Sequence, residues 1–123
     1  MFDQLKAMQA VAGLLKNKEK LGEAGERIKA RTDAMRVTGQ AGGGACRATV
    51  SGRMVVTDLV LDPALLAGMS VDEKTRDLAT SLIKDAVNDA MVKAQEQVKE
   101  LIAREAEELG LPGMSDQLGG LLG

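Results

Sequence analysis

The sequence has no histidine, tryptophan or tyrosine, and it has a single phenylalanine and a single cysteine. Without histidine, the chain cannot build Ser-His-Asp or Cys-His catalytic machinery or an imidazole metal site. The shortage of aromatic residues removes the stacking platforms on which single-stranded nucleic-acid binders depend. A lone cysteine forms no intramolecular disulfide, which is typical of a reducing cytoplasm. These absences argue against an enzyme, and we expect no catalytic residue, no cofactor, no metal and no small-molecule substrate.

Long apolar runs are also missing. No stretch of about 18 apolar residues could cross a membrane, and the first residues lack the apolar core of a signal peptide. With 45% hydrophobic and 28% charged residues among 123, the chain has the composition of a folded protein. We therefore expect a soluble, cytoplasmic protein without a membrane partner. It should form one domain over 1–114, followed by a mobile tail over 115–123 that is rich in glycine and leucine.

Charge is distributed unevenly along the chain. Residues 1–57 carry ten Lys/Arg against five Asp/Glu, whereas residues 58–123 carry six against thirteen. The formal net charge of −2 therefore conceals a basic first half and an acidic second half. Such asymmetry hints at a surface that faces an anionic partner.

Two long helices are predicted from apolar spacing. The first covers residues 3 to about 34, with apolar residues at seven-residue intervals from 14 to 35 and a further stripe formed by Leu5, Met8, Ala12 and Leu15. The second runs from about 71 to 109, opens with a capping box from Ser70 to Glu73, and stops at Gly110 and Pro112. Seven-residue spacing is suited to packing against another helix.

Three short strands are predicted between the helices. They cover 36–40, 46–51 and 54–61, with a glycine loop at 42–44 and a tight connection at 52–53. Alternation places Cys46 on a buried face, where an inert thiol is favoured over a redox centre. Pro63 ends the last strand because it has no N–H for the ladder, and 64–68 is predicted as a turn.

The lengths of these elements predict the assembly. At 1.5 Å per residue the helices reach roughly 45 and 60 Å, whereas strands of five to eight residues span about 17–27 Å. Apolar stripes then project beyond the sheet, and a helix-mediated homodimer is the economical way to cover them. The residues predicted at that interface are Leu14, Leu21, Ile28, Val87, Met91 and Val98.

Five segments in this order carry a resemblance to a known family. They are VTGQAGGG at 37–44, ATVSG at 48–52, LVLDPALL at 59–66, DAVNDA at 85–90 and GLPGM at 110–114. Together they resemble the YbaB/EbfC family of bacterial nucleoid-associated proteins over about 3–114. The resemblance implies an α+β protomer in an intertwined homodimer with projecting helical arms. It also implies binding of duplex DNA with little sequence stringency, and a place in the nucleoid with a role in its organisation or in gene regulation.

The basic residues of the first half are the candidate DNA contacts, because phosphate contacts position a protein without reading sequence. They are Lys6, Lys16, Lys18, Lys20, Arg27, Lys29, Arg31 and Arg36. The alternative is the solvated face of an amphipathic helix, in a homodimeric scaffold that docks partner proteins and does not bind DNA. Asp85 and Asp89, four residues apart, are interpreted as part of a solvated acidic face.

Overall fold

The computed structural model describes residues 2–109, except for the side chains of residues 2, 3, 10, 11, 13 and 14. The predicted helix stop at Gly110 and Pro112 and the predicted tail at 115–123 lie outside the described residues. The elements follow the predicted α+β order with one additional short helix: α1 (Phe2–Ala34), β1 (Val37–Ala41), β2 (Cys46–Val50), β3 (Val56–Leu61), α2 (Pro63–Met69) and α3 (Glu73–Glu108).

The chain divides into two compact units. One, the helical unit, comprises Met1–Ala30 and Leu101–Gly123; the other, the sheet unit, comprises Arg31–Glu100. In the helical unit, Ala24 and Ile28 of α1 are fully buried, and Leu101, Ile102 and Ala106 of α3 are nearly so. The sheet unit contains all three strands together with the end of α1, the whole of α2 and most of α3.

The three strands form the predicted antiparallel meander in the order β1-β2-β3. The third strand begins at Val56 and not at the predicted residue 54. Met54 adopts a left-handed φ of 64° inside a turn that is closed when the Ser51 N–H donates to the Val55 carbonyl oxygen over 2.9 Å. A register irregularity at Thr49 and Val50 adjoins this turn.

The core of the sheet unit is built from small side chains. Val37, Cys46, Ala48 and Val50 of the strands cluster with Ala86, Ala90 and Ala94 of α3. Gly39 makes this close packing possible, since a Cβ at that position would collide with the backbone nitrogen of Ala90 and lie 2.5 Å from the Ala86 carbonyl oxygen. The helix backbone therefore rests almost directly on β1.

Residues 63–69 form the helix α2, so the predicted turn over 64–68 is wrong. Asp62 is its N-cap, accepting from the Ala64 N–H over 2.9 Å, and Pro63 occupies the first turn. Proline is favoured there because its missing N–H would have no helical partner. No residue of α2 is buried. A helix without a buried face needs no regular spacing of apolar residues, so its sequence carries no clear helical signal.

The predicted capping box at Ser70 is also wrong. The Ser70 hydroxyl donates back to the Ala67 carbonyl oxygen over 2.9 Å, at the end of α2. Asp72 performs the capping of α3 instead, accepting from the Lys74 N–H over 3.0 Å. A carboxylate two residues closer to the helix displaces the hydroxyl from that role.

The described apolar residues of α1 lie on two faces and do not form one stripe. Ile28 is fully buried, whereas Leu5, Met8 and Leu15 are 59%, 72% and 57% exposed. At 100° per residue, the latter three and Ala12 point about 180° away from Ala24, Gly25 and Ile28. We call Leu5, Met8, Ala12 and Leu15 the N-terminal apolar face.

Candidate nucleic-acid interface

All eight predicted basic contacts have exposed side chains. Six of them belong to the helical unit and two to the sheet unit. The six are Lys6, Lys16, Lys18, Lys20, Arg27 and Lys29, and the two are Arg31 and Arg36. The long exposed helix α1 therefore presents most of these cations to solvent at a spacing set by its own geometry.

The cations of the helical unit fall into two rows along α1. From the helical repeat, Lys6, Lys16, Lys20 and Arg27 project within an arc of about 80°, which we call the main basic row. Lys18 and Lys29 project from a second arc, about 160–180° from the middle of the main basic row. The carboxylates of Glu19, Glu23 and Glu26 occupy the arc beside the main basic row. Charge on α1 is thus sorted by face rather than mixed.

The five lysines of α1 make no hydrogen bond or ion pair within the described part of the chain. An ammonium group on a long, exposed side chain keeps its full hydration and its freedom to move. Such a group meets a phosphate without first breaking a protein contact. The lysines therefore match the chemistry of a non-specific phosphate-binding surface.

Arg27 differs from these lysines because it has an internal partner. Its Nη2 and Nε atoms donate to Glu105 Oε2 over 3.1 and 3.3 Å, and the Glu105 side chain is completely buried. Releasing Arg27 to a phosphate would leave a buried carboxylate without this cation, which is costly. Its first role in this structure is to hold α1 and α3 together within the helical unit.

Arg36 also has intramolecular contacts. Its Nη1 donates to the backbone carbonyl oxygens of Asp33 and Met35, both over 2.7 Å. A cation at this position complements the negative end of the α1 dipole. Arg36 therefore terminates a helix, and its remaining guanidinium donors are available to solvent.

The exposed arginines of the sheet unit that sequence reasoning left out include Arg47 and Arg53, on and just after β2. Arg53 Nε lies 2.8 Å from Asp33 Oδ1 in an exposed ion pair. Arg47, on β2, is opposite Val60 in the ladder and has no ion pair among the described residues. The alternation of Arg47 and Thr49 with buried neighbours was the signal that could have placed Arg47 on the open face of the sheet.

Asp89 of α3 hydrogen-bonds one backbone group of β1. Its Oδ2 accepts from the Gln40 backbone N–H over 3.1 Å and from Lys93 Nζ over 2.9 Å. The Lys93 hydrogen bond, then the Gln40 hydrogen bond, lowers the pKa of this carboxyl. Asp89 is therefore more than part of a solvated acidic face. Within the described residues, no group of His, Cys, Asp or Glu side chains is arranged to hold a metal ion.

Cys46 lies in the core of the sheet unit with no exposed surface. Burial raises the pKa of its thiol, so the reactive thiolate is scarce at neutral pH. The prediction of a buried position is confirmed.

The residues predicted at a dimer interface have different environments. Ile28 is fully buried within the chain, and Val87 and Met91 pack against the core of the sheet unit. Leu21 and Val98 are half-buried, while the side chain of Leu14 lies outside the described residues. Their role between two copies stays a prediction.

Comparison with known proteins identifies the family. The model of the YbaB/EbfC DNA-binding family matches residues 2–109. The chain belongs to this family. Its relatives include a nucleoid-associated protein of Rhodospirillum rubrum, 34% identical over 109 residues, which cover 88% of this chain and 97% of that protein. A nucleoid-associated protein of Psychrobacter is 36% identical over 95 residues, covering 76% of this chain and 81% of that protein.

The match to the YbaB/EbfC family spans every helix and strand described here, from α1 to α3. The family is described by DNA binding and not by a reaction. Among residues 2–109, no helix combines the length and apolar character that a membrane span requires.

Proposed function

We propose that this protein binds duplex DNA as a nucleoid-associated protein, through contacts of α1 lysines with phosphates and with little sequence stringency. Family membership supports DNA as the partner, and the names of the relatives support the nucleoid as its place. The observation that carries the mode of binding is the set of exposed lysines on α1 that have no partner within the described residues.

The two rows of α1 divide the proposed contacts. In the main basic row, Lys16 and Lys20 lie one turn apart on one side of the helix, so both can reach the same stretch of DNA backbone. Lys18 and Lys29 project from the opposite side of α1. They would contact DNA only if the duplex lay against that side of the helix. Arg27 supports the helical unit through Glu105 and is secondary in this proposal.

Titration of a duplex of about 30 base pairs by fluorescence anisotropy, at several salt concentrations and beside a scrambled duplex, tests the proposal. Both duplexes should bind alike, and log affinity should fall linearly with log salt. The combined substitution of Lys16, Lys18 and Lys20 by Gln should weaken binding to both duplexes. It should also flatten the slope by about 0.9 for each phosphate that the variant no longer neutralises.

A matched control separates these lysines from a general effect of charge. Lys74, Lys84 and Lys99 are exposed lysines of α3, and replacing them by Gln removes the same charge from the acidic half. Binding should then change little. Equal losses in both triple variants would show that net charge, not α1, governs affinity. Substituting Lys16 and Lys20 in one protein, and Lys18 and Lys29 in another, identifies the row that faces DNA.

The assembly proposed for this function is a homodimer formed through β3. This edge strand exposes large apolar side chains on both faces, with Val56, Leu59 and Val60 at 44%, 40% and 53%. Leu66 of α2, the helix that follows β3 in the chain, is also 51% exposed. A single copy rarely leaves such a set open to water. Since Asp89 already accepts from the Gln40 N–H of β1, β3 is the edge that offers a second copy the freer access.

Sedimentation of the Leu59→Lys variant tests this assembly, because a charge on an edge strand opposes strand pairing. The parent should sediment as a species of twice 12.9 kDa and the variant as a single chain. Ser81→Lys, on an exposed face of α3, is the matched control and should stay associated. A dimer that survives Leu59→Lys unchanged would exclude β3 and return the interface to the heptad residues of the helices.

A further inference from the structure

Two arginines of the sheet unit meet at the end of α1. Arg36 Nη1 donates to the carbonyl oxygen of Asp33 over 2.7 Å, and Arg53 Nε lies 2.8 Å from Asp33 Oδ1. Both guanidinium groups therefore contact one residue, although Arg36 precedes β1 and Arg53 follows β2 in the chain. We call Asp33, Arg36 and Arg53 the arginine corner.

Backbone contacts hold the arginine corner in place. The Gly52 N–H donates to the Thr32 carbonyl oxygen over 3.1 Å, so the turn that carries Arg53 is attached to the end of α1. A Cβ on Gly52 would lie 2.8 Å from that oxygen and 2.7 Å from Thr32 Cγ2. The Arg53 N–H itself donates to Ser51 Oγ over 3.2 Å. Both arginines thus extend from backbone positions that are fixed relative to each other.

The conformation of the turn explains why Arg53 faces solvent. Met54 has a left-handed φ of 64°, and its N–H donates to the Ser51 carbonyl oxygen over 3.0 Å. This backbone directs Met54 against the core of the sheet unit, whereas the preceding Arg53 has a side chain that is 62% exposed. The unfavourable φ of Met54 is therefore tied to a geometry that presents a cation.

Two cations face one carboxylate in the arginine corner. The ion pair of Arg53 and Asp33 is exposed to water, and an ion pair of this kind is weak. The carbonyl oxygens of Asp33 and Met35, at the negative end of α1, already accept from Arg36. This contact offsets the part of the helix dipole that would oppose an anion. A phosphate can thus replace Asp33 as the partner of Arg53 at small cost.

The planar guanidinium group is the cation best suited to such an exchange, because its N–H donors match the spacing of phosphate oxygens. We propose that the arginine corner is a second phosphate-binding site for the backbone of duplex DNA, separate from the lysines of α1 and carried by the sheet unit. Arg36 and Arg53 bind one phosphate group, and Asp33 competes with it for Arg53. This inference rests on the proposed function, which supplies duplex DNA as the partner.

Anisotropy titration with the duplex of about 30 base pairs, at several salt concentrations, tests the arginine corner. Arg53→Gln should weaken binding by about three- to tenfold at low salt and flatten the slope of log affinity against log salt by about 0.9. Arg53→Lys should keep the slope, because the slope counts neutralised phosphates. Arg47→Gln is the matched control. Arg47 is an exposed arginine near the other end of β2, and its replacement should change neither quantity.

The outcomes separate the arginine corner from the proposed function. A parent protein that binds no DNA would contradict both. A parent that binds DNA, with Arg53→Gln and Arg47→Gln alike in affinity and slope, would contradict the arginine corner alone. An equal loss of slope in Arg53→Lys and Arg53→Gln would also overturn it, because the effect would then not follow the charge.

Removing the competing carboxylate should have the opposite effect. Asp33→Asn should strengthen binding by about two- to fivefold, the range that an exposed ion pair contributes. Asp77→Asn removes the same charge from an exposed residue of α3 and should change the affinity little. Unchanged or weaker binding by Asp33→Asn, or equal gains in both variants, would contradict competition within the arginine corner.

Discussion

The sheet unit and the helical unit are stabilised in different ways. The sheet unit packs alanines of α3 against its strands so closely that Gly39 has no room for a side chain. Among its described residues, the helical unit buries few side chains but includes an ion pair between Arg27 and the buried Glu105, and it leaves the lysines of α1 in water. Close packing restricts the first unit to small residues, whereas the exposed faces of the second are open to changes of charge.

The largest effect that tests this contrast is expected from Gly39→Ala. Its new Cβ would lie 2.5 Å from the Ala86 carbonyl oxygen and 2.7 Å from Ala90 Cα. Since backbone atoms cannot move aside as a side-chain end can, we expect a loss of about 3 kcal/mol in the free energy of unfolding. Urea denaturation followed by circular dichroism measures it. A loss below about 0.5 kcal/mol would show that α3 shifts easily on the sheet.

A smaller loss is expected when the ion pair of the helical unit is broken. Arg27→Gln removes the cation that faces a buried carboxylate, and because Arg27 is partly exposed we expect a cost of about 2 kcal/mol. Adding Glu105→Gln should recover part of this loss, which a double-mutant cycle by urea denaturation would measure. Strictly additive losses would mean that the two side chains do not interact energetically.

The same change from glycine to alanine should have the opposite sign in the helical unit. Gly22 lies inside α1, and a Cβ there would meet no atom within 4 Å. Gly22→Ala should therefore stabilise the protein by up to about 1 kcal/mol through helix propensity. Thermal denaturation beside Gly39→Ala provides the comparison. A destabilised Gly22→Ala protein would reveal a close contact at this position.

The smallest effect on stability is expected at the ion pair of Asp89 and Lys93, which lies beside β1. The pKa of Asp89 is lowered by Lys93 and by the Gln40 N–H, so its carboxylate contributes stability above the pKa of the unfolded chain. That contribution is lost as pH falls through the lower pKa of the folded state. Asp89→Asn should be less stable than the parent at pH 7, and the difference should shrink below about pH 4. A pH-independent difference would argue against a role for the charge.

Much of the fold could be predicted because its signals are local. Alternation in β2 and the glycines at 42–44, all three with positive φ, identified the first hairpin. The helix α2 was missed because Asp62 and Pro63 serve equally well to end a strand and to begin a helix. The start of β3 was misplaced because the left-handed backbone of Met54 has no signature in its residue type.

The candidate site was only partly predictable for a different reason. Residue type identified the cations of α1, and helical spacing accounts for the positions of Lys16 and Lys20. Spacing could not reveal that Arg27 is paired with Glu105, 78 residues away in sequence. Apolar spacing also merged two faces of α1 into one stripe. Leu14 begins the series at seven-residue intervals, whereas its neighbour Leu15 belongs to the stripe that starts at Leu5. Long-range partners depend on tertiary packing, which a local pattern does not encode.

The contact between Asp89 and the Gln40 N–H also bears on how far association can proceed. A sheet with two open edges can add strands at both ends, and repeated addition produces a fibre. A carboxylate that accepts from the Gln40 N–H opposes the addition of a strand at the β1 edge and leaves β3 as the edge open to pairing. In the homodimer proposed above, strand pairing at β3 would terminate after one addition, and the product would be a closed pair whose size does not grow with concentration. In that proposed assembly, one side chain on α3 would favour a finite pair over an open-ended polymer.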